Sequence, residues 1–377
     1  MIRINITTLK SATSACLLSS ALFLSTSSAL AQSSADLPRS TVEAISISGS
    51  QRSQIDQFIT SWTERALSDK AQDTKRAIEA LTKPLRGRGV SVAFRQSYSQ
   101  AIMPLLSSYD SKGTIGAQIS ALRIAGELAT PSGVSRVQNA MSNEDLGVQI
   151  FAVSRAGQIF SSTISQGPAI SKDDANMLIE SINALSADLA IDTNLLNACV
   201  RSLSIASALP TDTMGDARSN AIIALANAAG PRLRLLDVSD DPSDSQHLAL
   251  LAAGAAISSI ADISSDVNAA ATKEAVGLGG DMISIALRQV LGGTIDPVSD
   301  RALTVQCVQA GESLLYFARR NDAEIRGSGM SSIKETQFAQ QLTDGDDKAF
   351  RNESSSLLGP GSEICTRFGF NNERFLR

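Results

Sequence analysis

The sequence predicts an all-α chain folded as an α-α superhelix, a right-handed stack of helix pairs, and three observations predict it. Apolar residues recur at spacings of three and four over most of the chain, as in Ile55, Phe58, Ile59, Trp62 and Ala66, or Leu178, Ile182, Leu185 and Leu189. Alternation with period two is missing, and small residues dominate, with 51 Ala and 54 Ser among 377 residues. The stretch "GAQISALRIAGEL" (116–128) returns 31 residues later as "GVQIFAVSRAGQI" (147–159), identical at six of thirteen positions and conservatively changed at four. A unit of that length holds two helices, and one such pair cannot bury its apolar face alone, so it stacks on the next.

The N-terminus carries Arg3 and Lys10, an apolar run over 12–30 and an Ala29-Leu30-Ala31 exit. This order of basic, apolar and small residues predicts a secretory signal peptide, residues 1–31, cleaved after Ala31. Serines interrupt the run before it reaches the roughly 20 apolar residues of a membrane span. Cys16 precedes most of the apolar region, whereas a lipidated cysteine would close it. The mature chain would hold 346 residues with 31 basic against 38 acidic groups, a net charge of −7 that favours solubility. The longest later apolar stretch, 248–257, stops after ten residues, so no transmembrane helix is expected in the mature chain. The chain is expected to be exported, to a periplasm or outside the cell. There disulfides persist, but Cys199, Cys307 and Cys365 are too few and too scattered for a disulfide framework. Cys199 and Cys307 fall inside helical patterns and read as buried thiols. Whether Cys365 pairs with one of them is left open.

Residues 32–52 are Ser-rich, carry Pro38 and lack a helical period, so they read as a flexible leader. The helical repeat domain then spans 53–326. Its breaks are marked by helix-start and helix-stop chemistry at Pro131, Ser171 with Asp173-Asp174, Asp192, Pro210, Pro231, Pro242 and Pro297, which separates about 12 to 15 helices. A looser third echo begins at Asp216, 100 residues after Gly116, and further candidates are 194–209 and 299–315. Residues 327–377 form a tail closing on Phe368, Phe370 and Phe375 among Arg367, Arg374 and Arg377, expected to cap the last repeat.

The residues 141–159, "MSNEDLGVQIFAVSRAGQI", and 215–230, "GDARSNAIIALANAAG", resemble the HEAT and armadillo-like repeat family. An acidic turn, a basic residue and an Ala-rich second helix carry the resemblance, which covers about residues 110–230. Asp216 and Arg218 fit it, whereas Gln149 replaces the basic residue in the best copy. The resemblance implies a solenoid whose extended face holds a protein or peptide.

Catalytic chemistry finds little material. His247 is the one histidine and opens an apolar helix, where packing or helix-end roles are commonest. One His and three dispersed Cys do not make a zinc site. Ser331 to Lys334 has the S-x-x-K spacing, but chance alone supplies about one such pair at this Ser content, and the companion motifs are absent. The acidic turns 237–244 and 343–347 lack calcium-loop spacing and read as helix caps. The Gly-rich pieces 87–89 and 277–280 lack a phosphate cradle's preceding strand and read as turns or close helix contacts. No cofactor and no metal is implied.

The densest charge feature is a basic run with only three acids inside it: Arg65, Lys70, Lys75, Arg76, Lys83, Arg86, Arg88 and Arg95. It reads as a solvated helix face or, functionally, as a face for an acidic partner. An exported chain with 4% aromatics makes nucleic acid a poor partner, and Trp62, the one tryptophan, is assigned to the core by its spacing. The expected function is a non-enzymatic scaffold holding a protein or peptide partner. Two alternatives are an envelope-polymer hydrolase or lyase acting through Asp173, Asp174 or Glu180, and a structural component of an envelope assembly.

Overall fold

The computed structural model describes residues 36–237, 240–261, 266–293, 299–327 and 333–376. The expected signal peptide, its cleavage point, Pro297 and Ser331 lie outside them. The described residues are helical with no strand among them, in a compact unit that begins at Asp36. The helices are α1 (Arg39–Val42), α2 (Gly49–Ala66), α3 (Ala71–Thr82), α4 (Val92–Lys112), α5 (Ile115–Leu128), α6 (Pro131–Ala140), α7 (Leu146–Gln166), α8 (Lys172–Ala187), α9 (Thr193–Ala206), α10 (Thr211–Met214), α11 (Ala217–Leu235), α12 (Ser243–Ile260), α13 (Ala269–Gly292), α14 (Ser299–Ile325), α15 (Phe338–Asp344), α16 (Asp347–Leu358) and α17 (Glu363–Phe368), with a 3-10 turn at Lys83–Leu85.

Local chemistry explains most starts. Ser91, Thr114, Asp145 and Asn268 each accept a hydrogen bond from the backbone N–H three residues on, and Ser48 and Ser171 add the reciprocal bond of a capping box. Pro131 and Pro242 stand at helix starts as expected, but Pro231 lies inside α11. The missing N–H costs local stability, yet Ala228, Ala229, Gly230 and Leu233 are buried around it, and their packing carries the helix through.

Most of the longer helices pack on a chain neighbour and also on a helix one pair further along. One series of such contacts runs α3, α5, α7, α9, α12 and α14, and a second runs α8, α11, α13 and α16, preceded by α6 on α8 and α2 on α4. Polar bonds join α4 to α6: Ser99 to Ser132 at 2.8 Å, and Arg136 Nη2 to Asp110 at 2.8 Å. The echoing segments are α5 and α7, successive members of the first series, packed side by side. The third echo, in α11, belongs to the second series, so it is not the same structural position. The starts in the first series, residues 71, 115, 146, 193, 243 and 299, are spaced by 44, 31, 47, 50 and 56. The 31-residue period is therefore the shortest unit and not the rule. Packing constrains which face of a helix is apolar and leaves its length free; α6, only ten residues long, makes that unit short.

Close approach along the first series uses the small residues of the echo. A Cβ on Gly126 would lie 2.8 Å from Arg155 Cδ in α7, and one on Gly157 would lie 2.9 Å from Ser202 Oγ in α9. Ser202 in turn donates to the Val153 carbonyl at 2.8 Å. The second series shows a recurring helix-end device. Arg232 of α11 donates to the Ser186 and Asp188 carbonyls at the end of α8, and Arg288 of α13 to Leu233 and Leu236 at the end of α11. A cation there satisfies orphan carbonyls at the negative end of the helix dipole.

Two apolar cores form, one from Ile55 to Leu128 and a larger one from Leu122 to Phe375, and α5 contributes to both. Part of the expected flexible leader is ordered: Thr41 is buried and bonds to Gln54 at 2.7 Å, and Ser91 N–H donates to the Val42 carbonyl. Its serines proved a poor guide because α1 and Ser48 use them as turn and cap. The tail docks on α13 and α14, with Phe368, Phe370 and Phe375 buried in the larger core. Ser284 of α13 donates to the Phe375 carbonyl, and Arg374 Nη2 reaches the fully buried Asp281 at 3.0 Å, beside Arg234 at 2.5 Å. Cys199, Cys307 and Cys365 are all buried and free.

Candidate functional site

The basic run does not assemble as one face. Arg65, Lys70, Lys75, Arg76, Lys83, Arg86 and Arg88 are exposed, whereas Arg95 is 0% exposed in α4. Its heptad-like partners Tyr98 and Ile102 turn that side of α4 into the core, and its Nη2 donates to the Gly167 carbonyl. Nε and Nη1 of Arg95 are buried without a partner, and burial pushes the guanidinium down to about 10. Lys83 is spent on Asp36 at 2.8 Å, and Arg65 lies over the Trp62 ring, 5.3 Å from its centroid. Trp62 itself is half-buried at the edge of the smaller core, not inside it. Lys70, Lys75 and Arg76 stay on the solvent side of α3 and its start.

Arg86 leaves the run and joins a cluster that the linear sequence does not display. Its Nε donates to Glu127 of α5 at 2.8 Å, and the Glu127 side chain is only 6% exposed. Gln158 of α7 approaches the second Glu127 oxygen at 3.4 Å. Glu127 and Gln158 occupy equivalent places in the two echoing segments, one unit apart. Arg155 lays its stem across Gly126 and its guanidinium 4.8 Å from the Phe151 ring centroid; Arg123 lies 5.9 Å from the same ring. Burial pushes the Arg155 guanidinium down, Glu127 pulls it back up, and Arg123 and Arg86 push it down again. Arg155 Nε is buried without a hydrogen-bond partner, and among the described residues neither Arg123 nor Arg155 makes an ion pair within 4 Å. Three guanidiniums thus gather around one carboxylate and one aromatic ring.

Cavities among the described residues lie elsewhere, and none of the following is lined by a residue of this patch. One of about 520 Å³ lies between α9 and α12, lined by Ser204, Ser207, Leu251, Gly254 and Ser258. One of about 330 Å³ lies between α14 and α15, beside Tyr316 and Phe317. Glu312 there accepts from the Phe338 and Ala339 N–H groups, so its carboxylate caps α15. The third, of about 350 Å³, lies where the tail meets α13, beside Lys273, Phe370 and Arg374.

The carboxylates named for catalysis all lie on α8. Asp174 closes the capping box of α8 with Ser171, Asp173 and Glu180 are exposed, and none of the three lines these cavities. His247 is exposed, with Nδ1 2.8 Å from the Ser243 carbonyl one turn back. In the acidic turns Asp346 caps α16, Asp347 pairs with Arg301 at 2.8 Å, and Asp241 caps Ser243. No group of three or more His, Cys, Asp or Glu placed to hold a metal occurs among the described residues. The 87–89 glycines form a turn, and 277–280 lie in mid-α13 at close contacts with α14 and the tail. No helix among the described residues is long and apolar enough to cross a membrane.

What the Arg86, Arg123 and Arg155 cluster can do chemically is bind negative charge. It offers guanidinium donors at a partly water-excluded surface. The charge density of residues 65–95 pointed to only one of its members. Arg123, Arg155, Glu127 and Phe151 come together because α5 and α7 are packed in parallel places. No family model matches the chain, and no curated protein or solved structure matches it either.

Proposed function

We propose that this protein is a non-enzymatic binding scaffold, a HEAT- or armadillo-like solenoid, that is exported to a periplasm or the cell exterior and holds a protein or peptide partner. One observation carries the reading: successive helices α5, α7, α9, α12 and α14 pack on one another in chain order, while α8, α11, α13 and α16 do so in a second series. Stacked helix pairs with a unit length of about 40–47 residues are the signature of that repeat class, and spacings of 44, 47 and 50 lie in or near that range. Such stacking leaves a continuous outer surface, which suits an extended partner better than a small substrate. The tail, buried on α13 and α14, serves as the cap that the last apolar face of a stack requires.

Export rests on the N-terminal pattern of Arg3, Lys10, the apolar run and Ala29-Leu30-Ala31. The test is to purify a tagged chain from its native envelope after mild crosslinking and to identify what accompanies it. A protein at fixed stoichiometry, crosslinked to residues on one helix series, is the expected result. Recovery from the cytosol, or the absence of any stoichiometric protein, overturns the reading.

A further inference from the structure

We propose that Arg86, Arg123 and Arg155, gathered around Glu127 and the Phe151 ring on α5 and α7, form the docking patch for an acidic peptide segment of a protein partner. The inference rests on the scaffold reading above and names the chemistry of the partner. The charge balance supports it: three guanidiniums face one carboxylate, and that carboxylate is already engaged by Arg86 at 2.8 Å and by Gln158 at 3.4 Å. The other two lie over the Phe151 ring and make no ion pair within 4 Å among the described residues. A guanidinium without a carboxylate in a half-buried setting is an incomplete interaction, and a carboxylate supplied from outside completes it with charge-assisted hydrogen bonds.

The surroundings favour a peptide over a compact anion. Ile119, Ile150 and Phe151 are partly buried, so the two helices that carry the cations also leave some apolar surface uncovered. That mixture fits acidic side chains spaced along a chain with apolar stems between them. Glu127, standing inside the cluster, opposes a dianion placed at its centre. The net charge of −5, or −7 without residues 1–31, does not forbid this, because at physiological salt charges more than about 8 Å away are largely screened.

The patch is tested by fluorescence anisotropy of the full chain with a labelled decapeptide alternating Glu and Leu, against the same peptide with Gln for Glu. The wild type is expected to bind the Glu peptide at least tenfold more tightly than the Gln peptide, with affinity falling as salt rises. R123Q/R155Q, checked for unchanged helicity and melting midpoint, is expected to lose at least tenfold. K70Q/K75Q/R76Q, which removes three charges from the α3 region, is expected to bind within twofold of wild type. Equal loss in both variants, or no loss in R123Q/R155Q, overturns the patch. So does displacement of the peptide by millimolar inorganic phosphate, or Arg123- and Arg155-dependent binding to phosphatidylglycerol vesicles, which would make it an ion or lipid site. If R123Q/R155Q still retains the stoichiometric partner of the wild type, this inference fails and the scaffold reading stands; if the wild type has no such partner, the scaffold reading fails.

Discussion

Gly279 of α13 and Gly311 of α14 meet backbone to backbone: a Cβ on either would stand 2.9 Å from the other's carbonyl oxygen. The two helices therefore cross at a point where neither tolerates a side chain, and Leu315 closes the gap, 3.0 Å from the same Cβ position on Gly279. Overpacking a close-packed interior typically costs about 1–3 kcal/mol. Gly279→Ala is expected to lower the urea midpoint by a corresponding amount, and Gly279→Val by more. Gly254, which has open space around its Cβ position in α12, is the control: Gly254→Ala should hold or raise stability, since Ala is the better helix former by up to about 1 kcal/mol.

The tail is latched by a buried charge. Asp281 is 1% exposed and is reached by Arg234 and Arg374, the second from the far end of the chain. Removing one partner of a buried pair costs about 3–5 kcal/mol, a figure to be discounted here because both arginines retain some solvent contact. Asp281→Ala is expected to destabilise the fold by about 2 kcal/mol or more and to expose the tail to trypsin at Arg367 and Arg374. Arg374→Ala should loosen the tail selectively, with tryptic cleavage at Arg367 preceding global unfolding. Loss of global stability with an unaltered tail digest would contradict this coupling.

Burial pushes the thiols of Cys199 and Cys307 up to about 12. An unfolded thiol ionises near pH 8.5. Between these values the folded chain keeps protons that the unfolded chain loses, so stability falls as pH rises through this window, by up to about 1.4 kcal/mol per pH unit for each thiol. Urea midpoints should therefore drop more between pH 8.5 and 10 for the wild type than for C199A/C307A. Pulse alkylation with iodoacetamide, read by mass spectrometry, should leave Cys199, Cys307 and Cys365 unmodified until the chain unfolds.

Arg232 fastens the end of α8 to α11 by donating to the Ser186 carbonyl at 2.9 Å and the Asp188 carbonyl at 2.6 Å. Hydrogen bonds to a charged group contribute about 1.5–3 kcal/mol. Arg232→Met, which keeps the apolar stem, is expected to cost about 2 kcal/mol in chemical denaturation. Arg232→Lys should recover only part of this, because one ammonium replaces a planar fork that spans two carbonyls.

Arg95 supplies the opposite case. Among the described residues only the Gly167 carbonyl accepts from it, while Nε and Nη1 are buried without partners. A buried charge with incomplete hydrogen bonding is a liability, and an apolar side chain of similar size can be neutral or stabilising. Arg95→Met should match or exceed the wild type in urea midpoint, whereas Arg95→Ala, which leaves a void, should lower it by about 2–5 kcal/mol. A large loss in Arg95→Met would mean that the guanidinium carries more of the fold than its visible bonds suggest.

Apolar spacing, small-residue content and cap chemistry were enough to specify helices and many of their starts, because these depend on neighbours within one or two turns. Ser171, Asp192 and Pro131 all stand where a helix begins, and the 116–128 and 147–159 echo marks two helices that do lie side by side. The true unit length was not legible there, since stacking selects the face of a helix and not its residue count; the spacings range from 31 to 56 within the series. Nor was the candidate site. Arg95 looks like its charged neighbours in the chain but turns into the core, and Arg123 and Arg155 come to flank Phe151 only when α5 and α7 pack. Local sequence determines what each helix is; which charges meet is decided by the contacts between helices, because electrostatic neighbours are set by distance in space and not along the backbone.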